Sequence, residues 1–426
     1  MRFDFTGAPI PTVTLRAGLK RLQPLLKKAA AATYVDDVAS LAVLDDLELL
    51  DKSYALAKHC KDVDLLIICG IGGSNLGTLA IAQACLGADH ALRHKPRVLY
   101  ADTVDPSHTA FILAELTRAL KAKQNVVLCI ISKSGTTTET VALATVLLEP
   151  MRSYDNYRDD VVVITDTGSK LWHVTKQEGF HILEIPKSVG GRYSVFTPVG
   201  LFPLAVMGID IQELLKGAIA ARSYCLRFSK DNPAAMGAIT LAAQYQKQKK
   251  RVHDTFVFSH RLEGVGKWYR QLLAESCGKE RNRKGRKVNA GITPTVSVGS
   301  VDLHSVGQLY IDGPNDKITT FIDIDNEPSI KIPHNKGVAM LVDHIQGKEL
   351  HTVMRAILEG TAATYKAEKR AHWRVTLPDT KDKTIGELLQ TLMMQTIFFC
   401  HLIDVNAFDQ PAVEKYKANT RGLLAK

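Results

Sequence analysis

The chain of 426 residues contains no apolar run approaching the roughly 20 residues that a membrane-spanning helix requires. Its first residues, Met1 to Pro11, have neither the apolar stretch nor the small-residue cleavage site of a secretory signal peptide. These absences predict a cytoplasmic protein that has no membrane partner.

Paired cysteines and metal-binding motifs are also missing. The seven cysteines are scattered and none belongs to a CxxC motif, so we expect free thiols in a reducing compartment. His90 and His94 have the spacing of a zinc-binding pair, but Ala91 stands where the HExxH motif requires glutamate. We interpret the two histidines as part of a surface loop and expect no metal.

Acidic residues are fewer than basic ones, so the formal net charge is +10 and the pI is about 9.1. Such an excess favours anionic partners, either nucleic acid or small phosphorylated molecules. The positive charge is concentrated only at residues 279–287, which lack the interleaved aromatic residues that stack on bases. We interpret this segment as a solvated basic loop and expect no nucleic-acid partner.

Short apolar runs rich in β-branched residues recur in the first half of the chain, separated by stretches of helix length. They span residues 64–69, 97–102, 125–131, 160–166 and 181–186. This rhythm is typical of a parallel sheet buried on both faces. Between them we predict helices that include 76–86, ending at Gly87, and 138–148, ending before Pro150.

A second α/β series follows a helix that begins with a possible capping box, Asp210 and Glu213. We predict its strands at 255–259, 294–299 and 318–324, and its helices at 338–348, 351–369 and 385–400. The predicted fold is two doubly wound α-β-α sandwich domains with parallel sheets and a C-terminal helical arm. The predicted division is an N-terminal helical segment (1–45), a first domain (46–207), a second domain (208–403) and the arm (404–426).

A glycine-rich segment, Gly70 to Gly77, follows the first predicted strand and opens a helix, where backbone N–H groups can bind an anion. It is not a dinucleotide fingerprint, because Asn75 occupies the third glycine position, and it is not a P-loop, because Thr78 replaces the lysine. The glycines alone are equally compatible with a tight turn and with a ligand-binding loop.

The segment Ser132 to Glu139 has the same position between a strand and a helix and is rich in hydroxyl groups. Thr136 and Glu139 could form a capping box, but a cap does not require Ser132, Lys133 and Ser134 as well. We predict that this segment binds a phosphate. Because both loops leave the carboxyl ends of neighbouring parallel strands, they could hold one phosphate from two sides.

Six segments, taken together and in order, resemble the glucose-6-phosphate isomerase family. They are GIGGSNLG (70–77), SKSGTTTET (132–140), VGGRYSVFTPVGLFPLAVMGID (189–210), QLLAESCGK (271–279), DLHSVGQ (302–308) and DQPAVEKYK (409–417). The resemblance implies two SIS-type (sugar isomerase) domains with a C-terminal arm. It also implies a cofactor-independent aldose-ketose isomerase of glycolysis and gluconeogenesis that is usually a homodimer.

The resemblance implies a role for individual residues. Glu275 would be the base that moves a proton between C2 and C1, and Arg192 would face the developing oxyanion. His304 and Lys417 would open the sugar ring, with the histidine contributed across the dimer interface. The residues implied to bind the sugar phosphate are Gly73, Ser74, Ser132, Lys133, Ser134, Thr137, Gln271 and Gln410.

The sequence departs from the family pattern at Cys277, Pro411 and Tyr416. Cys277 lies two residues from the implied base, so we expect it to alter the local polarity. Two other functions remain open at this point: a non-catalytic sensor of sugar phosphates, and a nucleic-acid-binding protein. An isomerase that also accepts mannose 6-phosphate is a further alternative.

Overall fold

A computed structural model describes residues 1–60, 62–334 and 337–425 of the chain. Two five-stranded sheets organise these residues, and helices pack on both faces of each sheet. The predicted α/β class with two doubly wound, largely parallel sheets is confirmed. The division into four segments stays a prediction, and Lys426 lies outside the described residues.

The first sheet is entirely parallel. Its strands, in spatial order, are β3 (Arg97–Ala101), β2 (Leu65–Cys69), β4 (Val126–Ile131), β5 (Val161–Asp166) and β6 (His181–Ile185). All five predicted strands are confirmed to within one residue at each end. Every residue of β2 and β4 is buried, because helices cover both faces of the sheet.

The helices that accompany this sheet are α2 (Leu47–His59), α3 (Leu76–Leu86), α4 (His90–Arg93), α5 (Pro106–Lys121), α6 (Thr138–Met151), α7 (Lys170–Glu178) and α8 (Pro198–Val206). Helix α3 ends at Gly87, as predicted. The predicted end of α6 before Pro150 is wrong, because the helix continues to Met151. Pro150 lies in the last turn, where its missing N–H removes a single bond, and the helix ends one residue later.

The second sheet mixes parallel and antiparallel pairing. Its strands, in spatial order, are β1 (Arg2–Asp4), β12 (His372–Leu377), β11 (Lys317–Ile324), β7 (Val252–Val257) and β10 (Thr293–Val298). Strand β1 is antiparallel to β12, and the other pairs are parallel. The strands predicted at 294–299 and 318–324 are confirmed to within one residue, whereas the one predicted at 255–259 begins three residues and ends two residues earlier. Strands β1 and β12 were not predicted, and β1 shows that the N-terminal segment is not purely helical.

The helices that accompany the second sheet are α1 (Thr12–Ala30), α9 (Ile211–Cys225), α10 (Pro233–Gln246), α11 (Glu263–Cys277), α12 (Gly307–Asp312), α13 (Leu350–Ala367), α14 (Asp382–Leu402) and α15 (Pro411–Leu424). Helix α14 is buried along almost its whole length and packs against α9 and α10. No helix in the described ranges is both long enough and apolar enough to cross a membrane.

Asp210 caps α9, accepting bonds from the N–H groups of Gln212 and Glu213, but the predicted capping box is not completed. The N–H of Asp210 donates to Asp382 and not to Glu213, whose carboxylate bonds Lys216. The predicted helix at 338–348 is wrong: only a short 3₁₀ turn, Val338–Leu341, forms there. Val338 and Leu341 are more than 80% exposed, so a helix at this position would have no buried apolar face to stabilise it.

Two predictions of surface loops are corrected in part by the structure, although His94 is exposed after α4 as predicted. His90 is buried in α4, and its Nδ1 atom lies 3.1 Å from the carbonyl oxygen of Gly87. The basic segment 279–287 is not a wholly solvated loop, because it contains β8 (Lys279–Arg281) and begins β9 (Lys287–Ala290), which form an antiparallel hairpin. Lys279 and Asn282 are buried within it.

Candidate active site

A cleft of about 450 Å³ opens at the carboxyl ends of β2 and β4, between their loops, α11 and the arm helix α15. All the predicted site residues except Ser132 and His304 line it. They are Gly73, Ser74, Lys133, Ser134, Thr137, Arg192, Gln271, Glu275, Gln410 and Lys417. The fold therefore brings together segments that are separated by more than 300 residues in sequence.

The hydroxyl-rich loop after β4 forms one wall of this cleft. Ser132 is buried, and its hydroxyl donates to the Oγ1 atom of Thr137 at 3.3 Å. Ser132 therefore stabilises the loop from the side away from the cleft, whereas the exposed Ser134 lines the cleft. The predicted capping box is not formed, because α6 begins after Thr137 without a side-chain cap. Its first N–H groups therefore remain available to an anion.

Lys133 connects this loop to the segment that precedes Arg192. Its ammonium donates to the carbonyl oxygens of Lys187 and Val189 at 2.7 and 2.8 Å. Burial lowers the pKa of the Lys133 amine. With two of its three donors engaged by backbone, direct phosphate binding by this side chain stays a prediction.

The glycine-rich loop after β2 forms the opposite wall, where Gly72–Ser74 make a 3₁₀ turn. Gly72 has a φ of +62°, and a Cβ atom added to Gly73 would lie 2.3 Å from the carbonyl carbon of Gly191. The turn therefore packs directly on the backbone of Gly191 and Arg192, which a larger residue at 73 would prevent. The loop is both a tight turn and a wall of the cleft.

Arg192 is the most connected side chain in the site, and none of its side-chain surface is exposed. Its Nε donates to the Ser276 hydroxyl at 2.9 Å, and its Nη1 donates to the carboxylate of Glu275 at 3.3 Å and to the amide oxygen of Gln410. Its Nη2 donates to the carbonyl oxygens of Ala407 and Asp409. All five guanidinium donors are thus engaged.

Glu275 lies in the last turn of α11, and 29% of its side-chain surface is exposed. Its Oε1 accepts a bond from the amide of Gln271 at 2.9 Å, because residues four apart share a helix face. The Oε1 atom of Gln271 is buried and has no hydrogen-bond partner among the described residues. A ligand hydroxyl in the cleft could satisfy it.

The two residues predicted to open the sugar ring are not together in one chain. Lys417 lines the cleft from α15 and donates to the carboxylate of Glu414 at 3.1 Å. His304 is exposed on the 3₁₀ turn Val301–His304 that follows β10, outside the cleft.

Several residues near the site were not identified from the sequence. Ser276 bonds both Arg192 and the Tyr193 hydroxyl, each at 2.9 Å, and Lys279 bonds the backbone of the arm. The position of Ser276 directly after the predicted base was a usable signal. Cys277 does not alter the polarity of the cleft as expected: it is buried with its Sγ 3.8 Å from the Ile292 carbonyl oxygen, and burial raises the pKa of its thiol.

Comparisons with known proteins point to one family. The family model for phosphoglucose isomerase matches residues 47–424. The chain is 35% identical over 376 residues to a probable glucose-6-phosphate isomerase of Methanococcus maripaludis, covering 88% of this chain and 81% of the relative. It is 36% identical over 371 residues to a glucose-6-phosphate isomerase of Thermus thermophilus, covering 85% of this chain and 84% of the relative.

Solved structures show the same fold. A hypothetical protein from Thermus thermophilus superposes with a TM-score of 0.86 at 30% identity, covering the whole of both chains. A glucose-6-phosphate isomerase from Chlamydia trachomatis superposes with a TM-score of 0.83 at 18% identity, covering 99% of this chain and 88% of that one. The chain therefore belongs to the phosphoglucose isomerase family and is an aldose-ketose isomerase.

Proposed function

We propose that this chain interconverts glucose 6-phosphate and fructose 6-phosphate through an enediolate, in glycolysis and gluconeogenesis in the cytoplasm. The observation that carries the proposal is the meeting of the Glu275 carboxylate with the glycine-rich and hydroxyl-rich loops in a single cleft. The hydroxyls of Ser74, Ser134 and Thr137 and the first N–H groups of α6 hold the phosphate. The sugar then extends from the loops towards α11.

Glu275 is the base in this mechanism. Its carboxylate takes the proton from C2 of the open-chain aldose and returns it to C1, which a single group between two adjacent carbons can do. The bond from Gln271 holds one oxygen of Glu275 in place and leaves the amide oxygen of Gln271 for a substrate hydroxyl. The carboxylate is therefore oriented before the sugar binds.

Arg192 stabilises the negative charge that develops on the substrate oxygen. Because all its donors already have protein partners, one contact has to be exchanged during the reaction. The contact between Nη1 and the amide oxygen of Gln410 is the one that a substrate oxygen replaces. Gln410 is then free to bond the sugar, which accounts for its place in the cleft.

Ring opening uses Lys417 from the arm and His304 from the partner subunit of a homodimer. The position of His304 on an exposed turn outside its own cleft supports this arrangement. Imidazole is suited to moving the proton of the C1 hydroxyl near neutral pH. The dimer is thus part of the catalytic unit.

The test is turnover of fructose 6-phosphate by the purified protein, with the glucose 6-phosphate product detected by a coupled dehydrogenase. We expect Glu275→Gln to lower kcat by at least ~10²-fold, since it removes a positioned acid-base group. Glu368→Gln is the matched control, because Glu368 is an exposed carboxylate at the end of α13 and does not line the cleft. Binding of the sugar phosphate without turnover by the parent would instead support a sensor.

A further inference from the structure

Lys279 is a buried cation that the mechanism above does not use. Only 5% of its side-chain surface is exposed, although it begins a strongly charged hairpin. Its ammonium donates to the carbonyl oxygen of Glu275 and, at 2.9 Å, to the carbonyl oxygen of Asp409. The Asp409 carboxylate lies 3.5 Å from the same ammonium.

Each of these acceptors belongs to an element that carries part of the site. The Glu275 carbonyl is in the last turn of α11, where carbonyl groups lack partners within the helix. Asp409 directly precedes Gln410 and α15, the helix that carries Lys417. The ammonium of Lys279 therefore joins the C-terminal end of α11, the helix that carries Glu275, to the part of the arm that directly precedes α15.

Helix α15 depends on the contacts of the residues that precede it, because it is weakly held itself: its ion pair with the hairpin spans 4.0 Å. Helix α15 has no buried residue, and its aromatic residue, Tyr416, is 54% exposed. The Asp409 carbonyl accepts bonds from both Lys279 and Arg192, the latter at 3.1 Å. When a substrate oxygen replaces Gln410 at Nη1 of Arg192, the bonds from Lys279 and from Nη2 of Arg192 remain and hold residue 409 in place.

We propose that Lys279 is a positioning residue for the isomerase reaction: it fixes the arm relative to α11 so that Gln410 and Lys417 stay aligned with Glu275. This inference rests on the proposed function for its kinetic consequence. The structural claim, that Lys279 holds the arm against α11, rests only on the hydrogen bonds described above.

The test compares Lys279→Met, which retains the length of the side chain and removes its donors, with the parent. We expect kcat on fructose 6-phosphate to fall by about 10- to 100-fold, the scale of a small misplacement of reacting groups. Competitive inhibition by inorganic phosphate should stay within about twofold, because the ammonium of Lys279 bonds α11 and the arm and neither of the two phosphate loops. Trypsin cleavage within α15, followed by intact mass, should accelerate.

Lys250→Met is the matched control, because Lys250 is also buried and also bonds a backbone carbonyl, that of Asn315, which belongs neither to α11 nor to the arm. Both variants lose buried contacts, so a general loss of stability would lower their Tm values alike. Only Lys279→Met should change kcat and the cleavage of the arm.

Unchanged kcat and unchanged cleavage in Lys279→Met would overturn the proposal, and so would equal kinetic effects in both lysine variants. If Lys279→Met does not fold, Lys279→Gln, which retains a shorter N–H donor, is measured instead against the same criteria. A parent that does not turn over fructose 6-phosphate would refute the proposed function. Trypsin cleavage would still test whether Lys279 holds the arm.

Discussion

Asp254 is a carboxyl group buried within β7 of the second sheet. The hydroxyls of Thr295 and Ser297 donate to its Oδ1 at 2.6 and 3.1 Å, while Oδ2 is buried without a partner among the described residues. Burial raises the pKa of Asp254 to about 6, although the neighbouring hydroxyls oppose the shift. The free-energy cost of burying a negative charge therefore exceeds the stabilisation of that charge by the neighbouring hydroxyls.

This raised pKa predicts a pH-dependent stability. Because the folded pKa lies above the unfolded value, protonated Asp254 stabilises the fold below about pH 4, and the contribution is lost as pH rises through about 6. Asp254→Asn keeps the group neutral. We expect its Tm relative to the parent to rise between pH 5 and pH 8 by about 2 °C, measured by calorimetry.

The exposed Asp155 provides the control for this experiment, since Asp155→Asn should show no such trend. A Tm difference for Asp254→Asn that is constant between pH 5 and pH 8 would contradict the assignment.

At the scale of elements, the first sheet could be predicted because its strands are continuous apolar runs buried on both faces. Strand β12 could not, because its residues include His372 and Arg374. Arg374 is tolerated there by its ion pairs with Asp323 on the neighbouring β11 and with Glu359 on α13. Such pairing across the sheet cannot be read from one strand alone.

In the site, too, features set by local sequence could be predicted, whereas features set by contacts with distant segments could not. Hydroxyls and glycines at strand ends indicated the two loops, since local sequence determines what a loop can bind. The run of charges at 279–287 gave no indication that Lys279 alone among its lysines is buried. That depends on the arm, which is more than 100 residues away in sequence.

The glycine-rich turn offers a prediction at this scale. Gly73→Ala places a methyl group against the backbone of Gly191 and Arg192. We expect a destabilisation of about 1–3 kcal/mol and a loss of kcat of at least ~10-fold, because the strain displaces Arg192 from its partners. Thermal unfolding and the coupled assay measure the two effects.

Gly190→Ala is the neighbouring control. The nearest atom to its added methyl group, Cδ2 of Tyr193, would lie 3.9 Å away, which is ordinary contact. If Gly73→Ala were as active and stable as Gly190→Ala, the close approach of the two loops would be refuted.

At the scale of the whole molecule, the separation of His304 from its own cleft predicts complementation between subunits. Glu275→Gln and His304→Gln should each be nearly inactive alone. In a twofold dimer, a hybrid of the two variants contains one site with both native residues, so random mixing should restore about a quarter of parental activity. The assay is performed after co-refolding the two variants in equal amounts.

The control is to refold each variant alone in the same way, and these samples should regain no isomerase activity. If the mixed variants stayed as inactive as each one alone, His304 would not act across a dimer interface.

The most direct test of the central claim, that Glu275 moves a proton between adjacent carbons, is isomerisation in D₂O followed by NMR. A carboxylate that takes a proton exchanges it with solvent, so we expect deuterium at C2 of glucose 6-phosphate and at C1 of fructose 6-phosphate. Glu275→Gln should slow this uptake together with turnover. Isomerisation by the parent without deuterium in either sugar would contradict the account.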